Sequence, residues 1–279
     1  MTQERFVAAA GQMTSGSDLG ANLEVCRELA LEASQTGARL LVLPECFAFL
    51  GEHERDKAAV AERIDIAAPG PILDAVMQMA RDNDIWIVGG GMPEQVEGGD
   101  DRTYNTLVVV APDGRLAARY RKVHLFDVDI PGKATLRESD STAGGDEIVA
   151  VETEVGVLGL SICYDVRFPE LYRELALGRV AELLLVPAAF TAHTGAAHWH
   201  TLLRARAIEN QCFVIAAAQV GRHNAKRESY GHALIYDPWG ELLGEREDGT
   251  GIVTADIDLA RVAQVRERMP CATHVKIRS

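Results

Sequence analysis

The stretch IVAVETEVGVLGLSICYDVRFPELYRELAL (residues 148–177) packs two kinds of chain connection into one short run. Ile148 to Thr153 and Val157 to Cys163 read as the strands of a β-hairpin, and Leu171 to Leu177 reads as a helix starting near Pro169. A hairpin makes antiparallel neighbours, whereas a strand–helix–strand passage makes parallel ones. Both in one run predict a mixed sheet or a pair of sheets, not a purely parallel doubly wound fold.

The same mixture extends outward in both directions. Upstream, Phe6 to Gln12 reads as a strand, and Ser17 or Asp18 can cap a helix whose Leu19, Leu23, Cys26, Leu29, Ala30 and Ala33 recur at helical spacing. Gly37 suits the stop just past its end. Leu40 to Leu43 is too short for a helix and reads as a buried strand. Ile72 to Met79 follows as a helix and Ile85 to Val88 as a strand. Leu107 to Ala111 and Leu116 to Tyr120 form a hairpin around Pro112, Asp113 and Gly114. Downstream come a strand at Leu183 to Val186, a helix at His198 to Asn210 and a strand at Phe213 to Ala218. A further hairpin turns around Asp237, Pro238, Trp239 and Gly240, and Ile252 to Ile257 makes a late strand. Each half supplies strand, helix, strand and hairpin, the pattern of a pseudo-symmetric sandwich. No Ser/Gly/Pro-rich linker divides the chain, so residues 1–279 are expected to form a single domain. Glu94 to Arg102 and the last few residues are expected to be the least ordered parts.

Composition narrows the function. The 279 residues are 47% hydrophobic and 25% charged, and 28 Lys and Arg against 41 Asp and Glu give a formal charge of −13. So acidic a surface argues against nucleic acid or an anionic membrane as the main partner. No apolar run approaches the ~18 residues that span a bilayer. The short apolar segment Phe6 to Ala10 has Glu4 ahead of it and no basic region, so no secretory signal is expected. Five cysteines, odd in number and without a CxxC pair, argue against a disulfide framework or a thiolate zinc site and point to a reducing, cytoplasmic setting.

Chemistry-bearing groups stand where apolar strands end. Leu40 to Leu43 runs into Pro44 and Glu45, Leu116 to Tyr120 into Arg121, Lys122 and His124, and Val157 to Ile162 into Cys163. At the turn from strand to helix, the amides of Tyr164 and its neighbours can face an anion. They favour a thiolate at Cys163 and would hold a developing oxyanion. Desolvation at a strand end is expected to raise the pKa of Glu45 toward a general base near neutrality. Lys122 would add a fixed positive charge. Nucleophile, base and electrostatic stabiliser are the parts of an acyl-transfer hydrolase. Taken singly, the three are equally a buried cysteine, a loop glutamate and a solvated lysine. His193, His198 and His200 form H-x4-H-x-H, but His198 and His200 sit two apart on a helix and face different ways, so no metal site is expected. Gly89, Gly90 and Gly91 carry neither a GxGxxG nor a P-loop lysine and read as a turn or a close approach.

In their contexts these residues become recognisable. Leu-Val-Leu-Pro-Glu45, Tyr120-Arg-Lys122-Val-His-Leu-Phe126 and Leu160-Ser-Ile-Cys163-Tyr-Asp-Val-Arg167-Phe-Pro-Glu170 resemble, in order, the signature blocks of the nitrilase superfamily of carbon–nitrogen hydrolases. The resemblance implies an α/β fold, a four-layer αββα sandwich of mixed sheets with helices outside, assembled as a homodimer without metal or organic cofactor. It implies Cys163 as nucleophile, Glu45 as general base, Lys122 as oxyanion-stabilising cation and Glu138 as the second glutamate that positions the lysine. The Tyr164 backbone amide would complete the oxyanion site. Phe126-Asp-Val-Asp-Ile-Pro-Gly132, the run from His198-Trp199 to Asn210, and Lys226-Arg-Glu-Ser-Tyr230-Gly-His232 resemble the branch that holds deaminated glutathione amidases. Ala233, where the branch commonly has serine, and Cys271-Ala-Thr-His-Val depart from it. The branch implies hydrolysis of the amide of a small 2-oxo acid, deaminated glutathione first, with ω-amidase or N-carbamoyl amine hydrolysis as alternatives. Arg167 is the expected partner of the 2-oxo-acid carboxylate, unless it pairs with Asp165 or Glu170. Tyr104, Phe126, Phe190, Thr191 and Trp199 are the expected pocket walls.

Overall fold

The computed structural model describes residues 5–98, 100–129 and 136–277. Along β1 (Arg5–Met13), Phe6, Ala8 and Ala10 enter one hydrophobic core while Ala9 and Met13 enter another. After α1 (Leu19–Gln35), β2 (Ala38–Leu43) repeats the division, Leu40 and Val42 on one side and Leu41 and Leu43 on the other. Successive strand residues face opposite ways, so strands apolar on both faces must lie between two packed layers. α2 (Pro71–Asn83), β3 (Trp86–Gln95) and the hairpin of β4 (Thr103–Val110) with β5 (Leu116–Arg121) complete this half. Short strands β6 (Asp127–Val128) and β7 (Leu136–Arg137) pair with each other, and β8 (Thr142–Ala143) joins β4.

The second half runs β9 (Ala150–Thr153), β10 (Gly156–Leu160), α3 (Pro169–Leu177), β11 (Leu183–Leu185), α4 (Ala192–Asn210), β12 (Phe213–Ala216), β13 (Ala218–Arg222) and β14 (Glu228–Tyr230). It closes with β15 (Ala233–Tyr236), β16 (Leu242–Arg246), β17 (Gly251–Asp258), α5 (Ala260–Arg268) and α6 (Cys271–His274). One sheet has the order β14-β13-β1-β2-β3-β4-β5, with β17 against β1, and the other the order β16-β15-β12-β11-β10-β9. Parallel β1-β2-β3 and β10-β11-β12 centres carry antiparallel flanks, the mixed pairing that the hairpins predict. Leu23, Leu29, Ile72 and Val76 of α1 and α2 cover the first sheet, and Leu171, Tyr172, Trp199 and Leu203 of α3 and α4 cover the second. The result is the αββα sandwich.

Three expectations need correction. The run 213–218 is not one strand: β12 belongs to the second sheet and β13 to the first, with the chain crossing at Ala217. Alanines at 216–218 take little space between the sheets, and the buried Gln219 amide secures the crossing by donating to Ser15 Oγ and to the Glu45 carbonyl. α4 begins at Ala192, six residues before His198, because Gly195 does not break it. A Cβ there would lie 2.4 Å from the Tyr230 ring, so glycine is what lets the helix seat on β14. The loop expected from Glu94 starts later, since Glu94 and Gln95 finish β3; Gly99 and the last two residues lie outside the described residues. Glu94 is held by Thr106, Arg119 and Arg121. Among the described residues no helix is long and apolar enough to cross a membrane.

Candidate active site

Glu45, Lys122 and Cys163 stand just past the ends of β2, β5 and β10, and the sandwich brings those ends together. Lys122 Nζ donates to Glu45 Oε1 at 2.9 Å and to Glu138 Oε1 and Oε2 at 3.0 and 2.9 Å. Glu45 Oε1 also accepts from Asn105 Nδ2 at 2.9 Å, and Oε2 from the Ala189 amide at 2.9 Å. The Cys163 thiol hydrogen-bonds the same carboxylate. Glu138 in turn accepts from the Phe126 amide at 2.7 Å. All four predicted side chains therefore form one network.

Backbone geometry aims them. Gly90 and Gly91 carry β3 past Glu45 through a bulge, where a Cβ on Gly90 would lie 2.0 Å from the Leu43 carbonyl oxygen. That is the close approach the glycine run suggests. Cys163 has φ +47, a left-handed conformation that costs a non-glycine residue about 1–3 kcal/mol. It is held there because its amide donates to the Pro187 carbonyl at 2.9 Å and a short 3-10 turn follows at once. Among the described residues, no backbone carbonyl engages the Tyr164 amide.

Asp165, which no sequence expectation singles out for the site, ties the turn of Cys163 to the strand that ends at Lys122. Fully buried, its Oδ2 accepts from Tyr120 Oη and the Ile162 amide, both at 2.8 Å. Its Oδ1 accepts from the His124 amide at 3.1 Å and lies 2.7 Å from His124 Nδ1. Removing such a carboxylate strands several buried donors. Asp165→Ala is expected to lose about 3–5 kcal/mol of stability and most of the kcat of the intact enzyme. A thermal melt with a turnover assay checks this, and wild-type kcat in the variant would show that the tie does not position Lys122.

The electrostatics reverse two expectations. Burial pushes the Glu45 carboxyl up, but the Lys122 charge and hydrogen bonds from Lys122, Ala189 and Cys163 outweigh it and hold the pKa at about 2. Burial and the adjacent Glu45 charge push the Cys163 thiol well above its usual range, more than Lys122 lowers it. The resting pair is thus a carboxylate beside a neutral thiol, not a thiolate. Lys122, although buried, is kept charged by Glu138 and Glu45.

The network floors a cavity of about 670 Å3. Tyr104, Phe126, Arg167, Phe190 and Thr191 line it as expected. Trp199 does not: it is fully buried behind Phe190 at 5.0 Å, with its indole N–H donating to the His232 carbonyl. Arg167 pairs with neither Asp165 nor Glu170. Its guanidinium lies over the Phe190 ring at 5.0 Å and 3.3 Å from His198 Nδ1. Ile130 to Gly132, part of the branch-like segment after Phe126, lie outside the described residues.

The sequence profile of the family "Carbon-nitrogen hydrolase" matches residues 7–267. The chain belongs to that family. A curated relative from Synechocystis sp., a deaminated glutathione amidase, is 46% identical over 271 residues, covering 96% of this chain and 97% of the relative. Among solved structures, the C. elegans NitFhit protein is similar at a TM-score of 0.91 and 42% identity, over 99% of this chain and 66% of that longer one. A Nesterenkonia amidase whose active-site cysteine carries the acetamide moiety of fluoroacetamide matches at TM-score 0.77 and 27% identity, over 97% of both chains. The carbon–nitrogen hydrolases thus account for the fold and for a cysteine at the centre of the site.

Proposed function

We propose that this carbon–nitrogen hydrolase, acting as a single catalytic domain, cleaves the amide of deaminated glutathione to 2-oxoglutarate and cysteinylglycine. The observation that carries the reading is the Cys163–Glu45–Lys122 network at the floor of a cavity that has Arg167 in its wall. The Synechocystis relative's activity and the acetamide adduct of the Nesterenkonia cysteine support it. Glu45 takes the thiol proton as Cys163 Sγ attacks the amide carbonyl, and the oxyanion meets Lys122 Nζ and the Tyr164 amide. An ammonium has three N–H donors, so one can reach the oxyanion while two stay on the glutamates. Glu45 returns the proton to the leaving amine and then draws one from the water that attacks the thioester. Glu138 keeps Lys122 aligned throughout.

Size favours the longer substrate. A volume of about 670 Å3 lies in the range of pockets for drug-sized ligands, more than a five-carbon 2-oxo acid amide fills. A side-by-side assay of deaminated glutathione, 2-oxoglutaramate, glutamine and an N-carbamoyl amine tests the reading. The highest kcat/KM is expected for the first, and a preference for 2-oxoglutaramate would make the chain an ω-amidase instead. Arg167, in the cavity wall and our candidate partner for the 2-oxo-acid carboxylate, gives a second test. Arg167→Met is expected to lower kcat/KM for deaminated glutathione roughly 30-fold, about 2 kcal/mol, while sparing a small neutral amide. Equal losses on both would remove Arg167 from recognition.

A homodimer is our reading of the exposed apolar side chains Leu177 at the end of α3, Val180 in the loop after it and Ile208 on α4. Light scattering on the purified chain decides it. The five cysteines are all free thiols, which suits a reducing compartment, the cytoplasm.

A further inference from the structure

Three side chains outside the network converge from separate elements: His200 on α4, His232 just before β15 and Glu245 on β16. One ligand atom from each lies within 4.8 Å of the others. Glu245 Oε1 is 2.7 Å from His200 Nε2 and 2.6 Å from His232 Nδ1. In sequence His200 stands with His193 and His198 in the run H-x4-H-x-H. Folding partners it instead with a histidine and a glutamate far along the chain.

The cluster is held from outside as well as within. The Trp199 indole N–H donates to the His232 carbonyl at 2.9 Å, and the Tyr230 ring stacks on His232 at 4.3 Å. His200 meets the edge of the same tyrosine at 6.1 Å. His232 has φ +60, a conformation a non-glycine side chain keeps only when its surroundings over-determine it. The side chains are 18–36% exposed, so an ion can enter without unfolding anything.

We propose that His200, His232 and Glu245 bind a divalent transition-metal ion of the zinc class. Two imidazoles and one carboxylate form a nitrogen-rich donor set that suits zinc and its neighbours and not magnesium or calcium, which prefer all-oxygen sites. Each imidazole must present a lone pair. His200 then carries its proton on Nδ1 and leaves Nε2 free, and His232 carries its proton on Nε2 and leaves Nδ1 free. Glu245 stays a carboxylate. Bonds of about 2.0–2.1 Å at tetrahedral angles separate donors by roughly 3.3 Å, so the two Glu245 contacts lengthen by about 0.6–0.7 Å as the ion replaces them. Water completes the coordination. The ion would staple α4 to β15 and β16. It would take no part in hydrolysis, although the first turns of α4 also wall the cavity.

Zinc titrated calorimetrically into metal-free Cys163→Ala enzyme tests the site without competition from the Cys163 thiol. One ion per chain with a Kd at or below about 10 µM is expected, and at least 10-fold weaker binding when Glu245→Gln or His232→Asn is added. Glu245→Gln keeps the shape of the side chain, and asparagine tolerates the positive φ. Zinc should raise the melting temperature of the first protein and not of the others. Absence of saturable binding overturns the proposal, as does binding that both substitutions leave unchanged, which would place the ion elsewhere and leave the histidines as hydrogen-bond partners of Glu245.

Discussion

Cys163→Ala is expected to lower kcat by at least about three orders of magnitude while leaving the chain folded. The loss follows from the covalent route: without Sγ no thioester forms, and Glu45 and Lys122 can only assist direct attack by water. The fold should survive because the change removes a single sulfur atom from a turn whose amides, not its side chain, hold it. Cys163 N–H donates to Pro187 and Asp165 anchors Ile162, and alanine keeps both. A melting temperature within a few degrees of wild type is expected. Intact-mass spectrometry of acid-quenched reactions should find the acyl adduct on the wild type and none on the variant. Residual turnover above a thousandth of wild type, with no adduct on either protein, would exclude the thioester.

Much of the sandwich was legible because its strands are unbroken apolar runs between clear stops. Leu40–Leu43 ends at Pro44, and Val157–Ile162 ends at the Cys163 turn. Sequence pattern misleads where local signal and tertiary position diverge. Phe213 to Ala218 has uniform β character, and no local signal marks Ala217 as the point where the chain changes sheets. Gly195, upstream of the expected helix start, lies inside α4 and acts as a packing residue against Tyr230.

The site divides in the same way. Glu45, Lys122 and Cys163 were visible at strand ends, and Glu138 through family resemblance. Asn105 was not, being an ordinary strand asparagine until folding sets it against Glu45. Asp165 offered a faint cue, an acid two residues past Cys163, but its burial and its ties to Tyr120 and His124 arise from long-range pairing. The ionisation states are hidden from the sequence for a related reason. Burial could be inferred from sequence, but the number of donors converging on Glu45 could not, and that number decides the sign.

Lys122→Met should damage stability and catalysis together, and the two losses should respond differently to pH. The buried ammonium separates the Glu45 and Glu138 carboxylates, and removing it leaves two acids facing each other without a counter-charge. Breaking a buried ion pair by deleting one partner costs about 3–5 kcal/mol, so the melting temperature at pH 7 should fall by roughly 10 °C. In the wild type the Glu45 pKa is depressed, to about 2 from its ordinary 4.5. Its stabilising contribution is therefore fully present above 4.5 and is lost as pH falls from there toward 2. In the variant, burial and Glu138 dominate and the Glu45 pKa rises above its ordinary value. The variant's penalty is then present at neutral pH and relieved as acid protonates the carboxyl. The difference in melting temperature between the two proteins should narrow from pH 7 to pH 4. Without Lys122 no cation faces the oxyanion and no ammonium orients the Glu45 carboxylate, so kcat should drop at least about a thousandfold. Lys122→Arg separates charge from geometry: its larger planar fork should recover part of the stability and little of the turnover. A gap in melting temperature that stays constant from pH 7 to pH 4 would mean that Lys122 fills space without setting the ionisation of Glu45.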